Sequence, residues 1–103
     1  MTEPTDPDLL RAKLNQETAR ATWRELQPFF ARGQTVSVAG DLDLIEVAVA
    51  FAEDRIAQIQ QWRGETRLGA VSDEQARCWF EAGQELWTVV VAPWVLVQPA
   101  RRH

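Results

Sequence analysis

The segment LWTVVVAPWVLVQ, Leu86 to Gln98, constrains this chain more than any other stretch, because a run so rich in valine and tryptophan must be hidden from water. Branched and aromatic side chains suit a pleated surface, so the run reads as strand. Pro93 splits it, since proline inside a strand removes a ladder donor, and the break belongs at a sheet edge, a bulge or a bend. Two fates are open to such a segment. It is either the buried centre of a sheet or, where a few short strands and helices leave it bare, a contact surface. Trp87, Val89, Val91, Trp94, Val95 and Val97 are therefore the interface candidates, tryptophan being enriched at binding hot spots. Thr88 and Pro93 interrupt the run, which falls short of the roughly 20 apolar residues a membrane-spanning helix needs.

Upstream, helix signals dominate. Asp6 and Pro7 can open a helix, and apolar residues from Leu10 through Ala19, Trp23, Leu26 and Phe30 continue at helical spacing. Thr22 with Glu25 fits a capping box and Pro28 lacks a donor, so the segment is two helices or one kinked helix, closed by Gly33. Val36 and Val38 alternate with polar neighbours as in a short strand. Residues 43–54 carry both periodicities, but three alanines and a cap at Asp41 favour helix, which Asp54 continues or restarts through Ile56, Ile59 and Trp62 to Gly64. A strand near Leu68, a helix capped by Ser72 with Gln75, and a stop at Gly83 complete the reading. The fold expected is α+β: a small sheet of three to four short strands, with helices packed on one face.

With 103 residues there is room for one domain, residues 1–103, with an ordered core of about 7–98 between short polar tails. Fifteen acids against eleven bases give a net charge of −4, which disfavours nucleic acid as a partner. The acidic start, Met1 to Asp8, has no basic n-region and no apolar h-region of a secretory signal. A single cysteine excludes an internal disulfide, and the expected compartment is the cytoplasm, with no membrane association.

The segments LNQETARATWRELQPFFARG, LDLIEVAVAFAED, SDEQA and VVVAPWVLVQ, in this order and spacing, resemble a family of small bacterial proteins, domain of unknown function 2288. The likeness covers nearly the whole chain, and LDLIEVA and APWVLVQ carry most of it. It implies a bacterial, cytoplasmic, single-domain protein and transfers no catalytic or binding residue.

Chemistry has few footholds here. Asp43, Glu46 and Glu53 would share a helix face and could hold a hard cation such as magnesium, though capping and pairing with Arg55 account for the same acids. Cys78, beside Trp79 and Phe80, is expected to be buried as a small apolar residue. His103 lies in the terminal tail, and no phosphate loop, GxGxxG or histidine pair occurs. No catalytic residue and no cofactor are expected. The function expected is a protein-interaction or regulatory module, homodimeric or bound to another protein through the Trp/Val-rich surface. The alternative is a small metal-assisted enzyme or ligand-binding domain built on the acidic helix face.

Overall fold

The computed structural model describes residues 7 to 100, with elements in the order α1 (Pro7–Glu17), β1 (Ala19–Thr22), α2 (Trp23–Ala31), β2 (Thr35–Val38), α3 (Leu44–Ala52), α4 (Ile56–Gly64), β3 (Leu68–Ala70), α5 (Asp73–Ala82), β4 (Glu85–Val91) and β5 (Trp94–Pro99). The expected cap Asp6 lies outside the described residues. The fold is α+β, but the sheet has five strands instead of three to four, in the order β1-β4-β5-β2-β3. Among the described residues only the β2–β5 pair is parallel.

The extra strand is β1. Its sequence ARAT carries no strand signal, and alanine and arginine favour helix. What holds it extended is the ladder to β4, with Ala19 opposite Thr88 and Thr22 opposite Glu85. Tertiary pairing therefore overrides local preference and sets a strand between the two helices, where the sequence predicts only an interruption. Thr22 precedes α2 as expected, but its hydroxyl donates to the Glu25 carboxylate at 3.3 Å and caps no backbone N–H.

The Trp/Val run folds back on itself as the β4–β5 hairpin, with Ala92 and Pro93 at its tip. It occupies the middle of the sheet, and the strand period of two sends its side chains to both faces. Val89 and Leu96 pack with Val36, Val38 and Leu68 under α1, α3 and α4. Leu86, Val95 and Val97 pack with Trp23, Leu26 and Trp79 of α2 and α5. Helices thus cover both faces, not one. Two short helices on the second face suffice because Trp23, Phe30 and Trp79 fill the space in edge-to-face contacts with ring centroids 5.3 Å apart.

Local signals place the helix ends. The Asp43 carboxylate accepts from the N–H of Ile45 at 2.9 Å and of Glu46 at 3.4 Å, so Asp43 and not Asp41 caps α3. Ser72 accepts from Gln75 N–H at 3.1 Å, and Gly83, at φ 62°, closes α5 in the left-handed conformation that glycine tolerates. Asp54 does not cap α4; it takes φ 54° between the two helices, a conformation that short polar side chains reach more readily than others. Gly64 remains helical, and Thr66 takes the left-handed turn at φ 58°. No helix among the described residues is long and apolar enough to cross a membrane.

Candidate functional site

Folding separates the residues of the acidic face. Asp43 and Glu53 flank the nine-residue helix α3, which puts them about 15 Å apart at 1.5 Å per residue. Each has another engagement. Asp43 caps the helix, both carboxylate oxygens of Glu46 accept from Arg11 Nη2 at 2.9 and 3.1 Å, and Glu53 accepts from Arg55 Nε at 2.8 Å. The Glu46 hydrogen bond, reinforced by its charge, raises the Arg11 pKa further above its ordinary value. Among the described residues no three histidine, cysteine, aspartate or glutamate side chains stand close enough to share a metal ion.

The six interface candidates also divide. Val89, Val95 and Val97 are buried core, and Val91 is half-buried. Trp87 and Trp94 keep 37% and 39% of their surface, on the same face of the hairpin but at opposite ends of it. Trp94 sits opposite Val91, four residues along β4 from Trp87, so roughly 14 Å separates the two. They do not form one patch. Arg20 covers the Trp87 ring at 4.9 Å, whereas Trp94 stands beside an open groove. Val90, 56% exposed on the opposite face near the hairpin tip, was hidden within an apolar run that gave no sign of which member would stay wet.

That groove has a volume of about 490 Å³ and lies between the sheet and the α3–α4 hairpin. Val36, Leu68 and Val91 supply the sheet side, Phe51 and Ile59 the helical side, and Pro93 with Trp94 the mouth. The polar side chains that line it are Thr35 at the start of β2, Asp54, in the turn between α3 and α4, and Arg63, in the last turn of α4. The Arg63 side chain has no hydrogen-bond or ion-pair partner in the described residues. An apolar cleft of this size with few polar groups at its edge suits binding of an apolar group. Its walls come from four separate segments, so only Trp94 and Val91 were visible as candidates beforehand.

Cys78 is exposed, not buried. Its sequence neighbours Trp79 and Phe80 misled because successive helical residues point about 100° apart, and Ala76 and Trp79 take the buried face of α5.

Comparison with known proteins gives the same fold. The NMR solution structure of PA1075 from Pseudomonas aeruginosa is similar with a TM-score of 0.78 and 45% sequence identity, covering 100% of this chain and 97% of that one. No curated protein matches the chain. The family model described as "Protein of unknown function (DUF2288)" matches residues 9–99, and the chain therefore belongs to the DUF2288 family.

Proposed function

We propose that this protein is an interaction module that takes an apolar group of a protein partner into the groove beside Trp94. The observation that carries this reading is the groove itself: about 490 Å³, walled by Phe51, Ile59, Leu68 and Val91, with a large aromatic at its mouth. A protein partner is favoured over a small molecule because the apolar surface extends beyond the cavity. Pro93 and Trp94 at the hairpin tip are exposed, as is Val90 on the other face of the tip, and a small molecule seated in the groove would leave that surface wet. A second copy of this chain would be one such partner, in keeping with a homodimer in a cytoplasmic bacterial setting.

Photo-crosslinking tests this. Benzoylphenylalanine in place of Trp94, expressed in cells, should give defined protein adducts, and the same group in place of Arg77 on the exposed side of α5 should not. Filling the groove with Ala70→Trp should suppress the adducts, and their mass separates self-association from a different partner. Equal labelling from both positions, or none from position 94, would contradict the reading.

A further inference from the structure

We infer that the partner docks as an added strand along β3, through an extended segment that alternates apolar and acidic side chains. This inference rests on the docking reading above and specifies the chemistry of the partner. β3 is an outermost strand of the sheet. Ala39 N–H donates to the Arg67 carbonyl at 2.9 Å just beyond the ladder, which puts Ala39 and Arg67 at a hydrogen-bonded position of its register although Arg67 N–H itself goes to the Trp62 carbonyl. Such pairs recur at every second residue, so Ser37 and Gly69 form the next one. Leu68 and Ala70 therefore turn their N–H and C=O groups away from β2, toward the outer edge, which is exposed at Ala70 and largely covered at Leu68. Between them Gly69 has open space where a side chain would stand, and an approaching backbone meets no obstruction there.

Grooves lie on both sides of this edge. The first is the apolar one beside Trp94. The second, about 430 Å³, is lined by Ser37, Thr66, Arg67 and Gln75, and Ser37 and Gln75 place it toward the α2 and α5 face. Leu68, Gly69, Ala70 and Arg63 line both. Successive side chains of an added strand point to opposite faces, so one set would enter the apolar groove and the alternate set the polar one. Charge selects the second set. Arg67 is already held by Asp41 at 2.9 Å and Glu65 at 3.1 Å, whereas the Arg63 side chain is unpartnered and reaches both grooves. Asp54 lines the apolar groove alone, which disfavours a carboxylate there and leaves the polar groove beside Arg63 as its place. Three residues are too short an edge to recruit arbitrary strands. Main-chain hydrogen bonds combined with pockets for alternate side chains give strand addition its selectivity.

The test uses the capped peptide TVELEVT, its TVKLKVT counterpart, and two N-methylated forms of TVELEVT, followed by amide NMR of the full chain. One form is methylated at the valines and leucine, the other at the glutamates and final threonine, so each blocks one edge of the extended peptide. TVELEVT at about 1 mM should shift the amides of Leu68 and Ala70, and TVKLKVT should bind about tenfold more weakly. One methylated form should lose binding and the other keep it, and Arg63→Glu should reverse the preference between the glutamate and lysine peptides. If both methylated forms bind like the parent, with shifts confined to Phe51, Ile59 and Val91, strand addition is wrong while groove docking stands. If no peptide shifts any signal, the inference falls, and crosslinking from position 94 still decides the docking reading separately.

Discussion

Trp23→Ala should lower the midpoint of thermal unfolding by about 15–30 °C, the largest loss expected from a single truncation in this fold. Trp23 is 1% exposed and is gripped edge-to-face by Phe30 and Trp79, so it joins α2 and α5 to Leu86 and Val97 in the sheet. Emptying such a site costs about 3–5 kcal/mol, a large part of the 5–15 kcal/mol that holds an ordinary domain together. The indole N–H has no hydrogen-bond partner, so the ring contributes through packing and not through a polar anchor. Trp23→Phe keeps most of the apolar volume, removes the orphaned donor, and should lose less than half as much. Calorimetry of both variants checks this; equal losses would show that the indole nitrogen matters and that the packing account of α2 and α5 is incomplete.

Two residues of β5 only one position apart from being neighbours should behave as opposites. Leu96 is fully buried between Val89 and Val36 under α3, and Leu96→Ala should cost about 2–5 kcal/mol in urea unfolding. Trp94 is 39% exposed beside the groove, and Trp94→Ala should cost about 1–2 kcal/mol of stability. Its effect on partner binding should be the larger one, about thirtyfold, because a partly exposed tryptophan at the mouth of a pocket is placed as a binding anchor. The reverse outcome, a folding defect at position 94 with binding intact, would return Trp94 to the core and leave the groove without a role.

The sequence disclosed what must be hidden but not what hides it. Valine, tryptophan and the Pro93 break made β4 and β5 readable, and Ser72 with Gln75 marked the start of α5 because its capping hydrogen bond is local. The strand state of Ala19 to Thr22 was not local: it depends on Thr88 and Glu85, more than sixty residues away in the chain. The same long-range dependence concealed the second helical layer, so Val95 and Val97 looked like contact surface until α2 and α5 covered them. Composition could not foresee the groove either, since Phe51, Ile59, Leu68 and Trp94 meet only after the α3–α4 hairpin docks on the sheet. Acids close in sequence invited a metal reading, and the length of α3 sets Asp43 and Glu53 at its opposite ends.

Native-state hydrogen exchange at Val95, Leu96 and Val97, followed over a dilution series, probes most directly whether one chain conceals its own hydrophobic run. Val95 N–H donates to the Gln34 carbonyl at 2.9 Å, and the run lies in the interior of the sheet. These amides should exchange only through global unfolding, at rates that do not change with protein concentration. Exchange that quickens on dilution would mean that a second copy, not α2 and α5 of the same chain, keeps the strand dry.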